Sequence, residues 1–152
     1  MTSTIAVCIL TCFALLVSVL AAASPGVISD HNAFLRGFVN HEFLNVLGVI
    51  VAITLASAAQ LHLALNSIED RVQRRNIFIR TRAKVRMAAY ALITLFVAGL
   101  ALVVIKPLVA LEPWSEALAN GFALFILLWN VLILISLTEG VFSISSQVHE
   151  LD

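Results

Sequence analysis

The chain has 152 residues, of which 61% are hydrophobic and 12% are charged, and its formal net charge at pH 7 is zero. Soluble domains carry about 25% charged residues, so this composition excludes an ordinary soluble domain. A neutral chain also lacks the overall positive field that attracts nucleic acid, and we expect no nucleic-acid partner.

Four apolar runs predict four transmembrane helices. A spanning helix needs about 20 mostly apolar residues, and the predicted spans are 4–23, 43–65, 87–105 and 117–137. None of these runs alternates between apolar and polar residues, so no strand interpretation competes. The sequence predicts an all-α integral membrane protein, with one domain over residues 1–152 whose four helices form an antiparallel bundle.

The first span contains a possible signal-peptidase site at residues 21–24. However, the first four residues, MTST, hold no Lys or Arg, and the apolar run is longer than the apolar core of most signal peptides. We interpret the segment as a true span, and its removal would leave three spans with the same orientation. Cys8 and Cys12 lie inside it and are expected to pack as small apolar residues.

Prolines and one acidic residue mark the predicted helix ends. Pro25 begins a turn after the first span, and Asp30 is a fair N-cap, which predicts that the second helix starts near Asp30. Pro107 is expected to end the third helix, and Pro113 suits the first turn of the fourth. Trp114 follows Pro113, at a position where an interfacial aromatic anchor is expected.

Residues 66–86 carry seven of the nine basic residues and two acidic ones, a net charge of +5. The connections 24–42 and 106–116 each have a net charge of −1. Because Lys and Arg near spanning helices stay on the cytoplasmic side, we expect connection 66–86, both termini and the tail 138–152 to be cytoplasmic. The same cations are candidate contacts for anionic lipids. The alternative is that they only set the topology of the protein in the membrane. They are Arg71, Arg74, Arg75, Arg80, Arg82, Lys84 and Arg86.

The start of this connection has two interpretations. Ser67 to Asp70 matches a capping box, which would begin a separate amphipathic helix. The second helix can instead continue outward, which we favour because no Gly or Pro stands between Gly48 and Gly99. The turn is then expected around Asn76.

Four polar residues fall at similar predicted depth toward the basic side: Gln60, His62, Tyr90 and Glu139. Ionisable residues at membrane depth are functional candidates, and a His–Glu pair can pass a proton or bind a cation. The alternative is that all four mark helix ends that touch lipid headgroups.

Two further patterns concern helix packing. Asn130 lies near mid-membrane and is expected to form an interhelical hydrogen bond. Small residues at 56–59, and on one face of the third helix, predict a tight hairpin of spans two and three. The members of that face are Ala91, Thr94, Ala98 and Ala101.

The sequence contains no Gly-rich phosphate loop, no HExxH and no G-x-S-x-G. We therefore predict no catalytic residue, no metal site, no cofactor and no enzymatic activity. The leading hypothesis is an accessory, scaffold or assembly subunit, acting through helix–helix and basic-loop contacts in a bacterial inner (plasma) membrane. The alternative is a homo-oligomeric ion or proton channel, or a small transporter. The expected partner is a second copy or another membrane protein.

Overall fold

The computed structural model describes residues 3–72 and 78–149, and the side chains of residues 4–69 and 78–139. Over these ranges the chain is helical, with short turns between the helices and no strand. The helices are α1 (Ser3–Ala23), α2 (Pro25–Ile28), α3 (Ala33–Phe38), α4 (His41–Val72), α5 (Ile79–Val109) and α6 (Pro113–His149).

Four of these helices, α1, α4, α5 and α6, are long and apolar enough to cross a membrane, which indicates a multi-pass membrane protein. The last three have 32, 31 and 37 residues. At 1.5 Å per residue they are about 46–56 Å long, whereas the hydrocarbon core of a bilayer is about 30 Å thick. Helices α4, α5 and α6 are therefore longer than the hydrocarbon core is thick, and their ends extend beyond it.

The connection after α1 is more broken than the sequence pattern predicted. Instead of one helix starting near Asp30, the chain forms α2, a turn, and then α3, whose N-cap is Asn32 with its side chain accepting from the Phe34 N–H. The helix stops at Phe38, and α4 starts only at His41, where Asn40 Oδ1 accepts the Glu42 N–H. Asp30 does not cap a helix because its carboxylate is bound elsewhere in the fold.

Helices α4 and α5 extend well into the basic connection. The favoured continuation of the second helix is confirmed, because α4 runs to Val72. Ser67 lies inside that helix, so the capping-box interpretation is wrong. Helix α5 begins at Ile79, eight residues before the predicted start of the third span. The predicted turn at Asn76 falls outside the described residues.

Pro107 lies inside α5 and does not end it, contrary to the sequence prediction. Proline removes one backbone N–H, and its ring crowds the carbonyl four residues earlier. Only two residues of α5 follow Pro107, so the disturbance is confined to the last turn. The helix continues to Val109, and the Ala110 N–H closes the last turn on the Lys106 carbonyl. Pro113 is the first residue of α6, as predicted.

Helix α6 is the centre of the packing, since it contacts α1, α2, α4 and α5. Helix α5 also packs against α4. Of the predicted small-residue face, Ala91 and Ala98 are half-buried and Ala98 packs against the core, whereas Thr94 and Ala101 are exposed. The buried Gly99 provides the close approach to α4.

Gly99 and Gly48 form a matched pair for testing this packing. A Cβ at Gly99 would lie 2.7 Å from Leu47 Cδ1 and 3.2 Å from Phe43 Cε1, whereas one at Gly48 would meet Phe96 Cε2 at 3.8 Å. Overpacking costs about 1–3 kcal/mol. We expect Gly99→Ala to be less stable than Gly48→Ala by about that amount in thermal unfolding in detergent. Equal stabilities would contradict this packing.

Candidate functional site

A polar cluster lies where the turn between α2 and α3 meets the end of α5 and the start of α6. We call it the Asp30 cluster, and its members are Ser29, Asp30, Lys106, Glu116 and Asn120. Lys106 stands one turn before the end of α5. Glu116 and Asn120 are four residues apart on α6, so they share one face of that helix.

Asp30 is the centre of the hydrogen bonding. Lys106 Nζ donates to Asp30 Oδ1 at 2.7 Å, and Asn120 Nδ2 donates to the same oxygen at 2.9 Å. Asn120 Nδ2 also donates to the Ile28 carbonyl at 2.9 Å. The Asp30 backbone N–H donates to Glu116 Oε2 at 3.1 Å. One short turn is thereby bound to both of the long helices that meet it.

Several members of the Asp30 cluster are buried. Asn120 and Ser29 are fully buried and Lys106 is 8% exposed, although lysine is almost never buried without a partner. Burial by itself works to raise the pKa of the Asp30 carboxyl, but the hydrogen bonds from Lys106 and Asn120 and the charges of Lys106 and Arg36 outweigh it. The pKa of Asp30 is therefore lowered, and its carboxyl group is ionised at neutral pH.

The contacts of the Asp30 cluster are structural, since they fasten the turn between α2 and α3 to α5 and α6. Its lysine and its aspartate neutralise each other, and the Ser29 hydroxyl is engaged with the His31 backbone N–H at 3.3 Å and with His31 Nδ1 at 3.1 Å. Asn120 Oδ1 is buried and has no hydrogen-bond partner in the described part of the chain. Within that part, no three His, Cys, Asp or Glu residues are placed to hold a metal ion.

Sequence reasoning missed this cluster because its members are far apart in the chain. Asp30 and Lys106 are separated by 76 positions, and Asp30 and Asn120 by 90. One signal was available: Lys106 is a lone cation directly after a 19-residue apolar run, which makes it a candidate for pairing with a counter-charge at the membrane boundary. Asp30 was considered only as a helix cap.

A second feature is an open cleft of about 440 Å³ between α4 and α6, which we call the α4–α6 cleft. Small and hydroxyl-bearing side chains form most of its wall. The α4 side supplies Thr54, Ser57, Ala58, Gln60, Leu61 and Ala64, and the α6 side supplies Leu134, Leu137 and Thr138.

The four predicted polar residues differ in their relation to the α4–α6 cleft. Gln60 lines the α4–α6 cleft, whereas His62, Tyr90 and Glu139 are not among its lining residues. All four are exposed, Tyr90 at 66%. Their action as one proton- or cation-handling cluster stays a prediction.

The cations predicted to contact lipid fall into three groups: one is paired, three are exposed, and three have side chains outside the described residues. Arg82 Nη2 forms an ion pair with Glu69 Oε2 at 2.9 Å and donates to Asn66 Oδ1 at 2.6 Å. Glu69 Oε1 also accepts the Phe78 N–H at 3.3 Å, so this ion pair fastens the start of α5 to α4. The other predicted cations with described side chains are exposed, and they are Arg80, Lys84 and Arg86. Arg71, Arg74 and Arg75 have side chains outside the described residues.

Asn130 is fully buried on α6. Its Nδ2 donates to the Ile126 carbonyl of its own helix at 2.9 Å, and its Oδ1 has no partner among the described residues. The hydrogen bond that is present is thus intrahelical, and the interhelical bond stays a prediction. A buried acceptor without a partner is costly, so this position is sensitive to whatever packs beside it.

No protein-family model matches the chain, and comparisons with curated proteins and with solved structures give no significant match.

The Asp30 cluster predicts a large and coupled loss of stability. We expect Lys106→Gln to lower the unfolding free energy by about 3 kcal/mol, since it leaves the Asp30 carboxylate unpaired. The double variant with Asp30→Asn should show a coupling of about 0.5–3 kcal/mol. Lys84→Gln, at an exposed cation on the same helix, is the control and should change stability by less than about 0.5 kcal/mol. Equal effects of Lys106→Gln and Lys84→Gln in thermal unfolding would refute this structural role of the Asp30 cluster.

Proposed function

We propose that this protein is an accessory, scaffold or assembly subunit that binds a transmembrane helix of another membrane protein against the α4–α6 cleft. The observation that carries the proposal is the cleft itself, an opening of about 440 Å³ between α4 and α6 that side chains of a neighbouring helix can enter. The described hydrophobic core elsewhere in the bundle is apolar, which supports a binding surface over a conducting path within one copy.

The wall of the cleft suits a helix. Ser57, Ala58, Leu61 and Ala64 follow one another at helical spacing on α4, and Ala58 and Ala64 leave the backbone within reach of a neighbour. Small residues at such positions allow two helices to approach closely, which is the main source of helix association in a bilayer.

The polar groups of the cleft favour a helix over a lipid tail. The hydroxyls of Thr54, Ser57 and Thr138 each donate to a carbonyl four residues earlier, so their lone pairs are left to accept. The Gln60 amide has no hydrogen bond among the described residues and needs a polar partner. Hydrocarbon chains offer none, whereas a helix that carries a Ser, Thr, Asn or Gln does.

The proposed setting is a bacterial inner (plasma) membrane, with an antiparallel bundle and both termini in the cytoplasm. The charge difference between the two sets of connections supports it, because positive charge is retained inside. The basic connection would then lie in the cytoplasm, where it can add a second contact with the partner.

Orientation can be tested with single cysteines at two exposed positions. In a Cys8→Ser, Cys12→Ser background, Phe34→Cys on α3 should react with a membrane-impermeant thiol reagent added to intact cells. Ile79→Cys at the start of α5 should react only after the membrane is opened. Both wild-type residues are more than half exposed, so side-chain access is matched. Reaction of both cysteines from outside would overturn the proposed topology.

The cleft can be tested by site-specific photocross-linking in cells. A photoreactive amino acid at Ala58 should give one adduct of defined mass, joined to a transmembrane segment of another membrane protein. The same group at Ile53, which is 58% exposed on α4 but outside the cleft, should not form that adduct. Ser57→Leu fills the cleft, and we expect it to reduce the adduct about ten-fold, equivalent to about 1.4 kcal/mol.

The other outcomes separate the alternatives. An adduct between two copies of this chain would favour the homo-oligomeric channel or transporter instead. Adducts with lipid alone, or equal adducts from Ala58 and Ile53, would contradict a helix-binding cleft.

A further inference from the structure

The first three turns of α5 present one exposed face. Three cations, Arg80, Lys84 and Arg86, lie on it, and it continues through Met87 to Tyr90. Arg80, Lys84 and Met87 follow one another at intervals of four and three residues, and Arg86 and Tyr90 are four apart on an adjacent strip, so the two strips together form the exposed side of this part of the helix. Met87 is 74% exposed and Tyr90 is 66% exposed.

No acidic side chain among the described residues compensates the charges on this side of α5. Helix α5 contains no Asp or Glu. The acidic residue that approaches its start from α4, Glu69, is bound to Arg82, which projects between the two helices and is not part of the exposed face. None of the three exposed cations forms an ion pair with another described residue.

The depth of the face matches the boundary of a bilayer. Met87 to Ile105 is an apolar run of 19 residues, about 28 Å long, close to the hydrocarbon thickness of about 30 Å. Arg80 to Arg86 covers a further 9 Å or so, which is comparable to the headgroup layer. Below the cations, the same helix exposes Ile93 and Val97 to the surroundings.

We propose that this face, Arg80, Lys84, Arg86 and Tyr90, binds the phosphate groups of anionic phospholipids at the membrane boundary. The guanidinium groups and the ammonium group supply charge-assisted donors, and the Tyr90 hydroxyl supplies one donor a turn deeper. The acyl chains of the bound lipid lie along the exposed apolar residues below. Arg82 is excluded, because its charge fastens α5 to α4.

The proposal can be tested with spin-labelled lipids and the whole protein in reconstituted membranes. The wild type should associate more strongly with spin-labelled phosphatidylglycerol than with spin-labelled phosphatidylcholine. Each cation near an anionic surface contributes roughly a five-fold preference, so the triple variant Arg80→Gln, Lys84→Gln, Arg86→Gln should lose on the order of 100-fold. Thermal unfolding should be unchanged, since the Arg82–Glu69 pair is retained.

Three controls make the result specific. Arg36→Gln removes one exposed cation from α3, distant from this face, and should leave the preference within two-fold of the wild type. The charge-preserving variant Arg80→Lys, Lys84→Arg, Arg86→Lys should retain most of it. Inorganic phosphate should not abolish it beyond the effect of sodium chloride at equal ionic strength.

Each opposite result overturns the proposal. If the wild type does not distinguish the two lipids, the cations serve topology or a protein partner instead. If Arg36→Gln has as large an effect as Lys84→Gln, the preference reflects total charge and not this face. If inorganic phosphate removes it specifically, the site binds a soluble phosphate and not a membrane lipid.

Discussion

Hydrocarbon solvates neither an unpaired charge nor an unpaired backbone group, and the arrangement of this protein depends on that constraint. It is clearest in α5, where 19 apolar residues stand between Arg86 and Lys106. A helix satisfies the backbone of this run by itself. Each cation must then find either water and headgroups or a counter-charge. The two ends of α5 meet this requirement in different ways.

At one end, Lys106 is buried and its charge is neutralised inside the protein by Asp30. This explains why the chain between α1 and α4 folds into two short helices with a turn between them: the turn brings Asp30 to Lys106, and Asn120 holds both the carboxylate and the Ile28 carbonyl. At the other end, Arg82 is paired with Glu69 of α4, while the cations beside it remain exposed. One end of α5 is therefore closed by an internal ion pair, and the other presents charge to its surroundings.

Much of this could be predicted from the sequence, because length and hydropathy are local properties. The four spanning helices and the continuation of α4 past the membrane follow from apolar runs and from the lack of Gly and Pro. The start of α6 at Pro113 follows from the position that proline favours. Pro107 misled the prediction, since a proline in the last turn disturbs only the end of the helix.

The Asp30 cluster and the α4–α6 cleft could not be predicted, because both depend on which helix faces meet. Asp30, Lys106 and Asn120 are brought together only by the packing of α5 and α6 around a turn far away in the chain. Half of the predicted small-residue face of α5 is exposed for the same reason: spacing shows which residues share a face, but not which face packs. Gln60 was identified as a candidate, yet its neighbours in the cleft were not.

The central claim is that the apolar run of α5 spans the hydrocarbon core, with a cation paired inside the protein at one end and exposed cations at the other. Its most direct test is a depth profile, measured with nitroxide labels at Ile79, Val97 and Leu108 in reconstituted membranes. All three positions are more than half exposed, so contact with the surroundings is assured. Oxygen accessibility should be highest at Val97, and accessibility to a water-soluble nickel complex should be highest at Ile79 and Leu108. Equal accessibility to the nickel complex at all three positions would contradict the account.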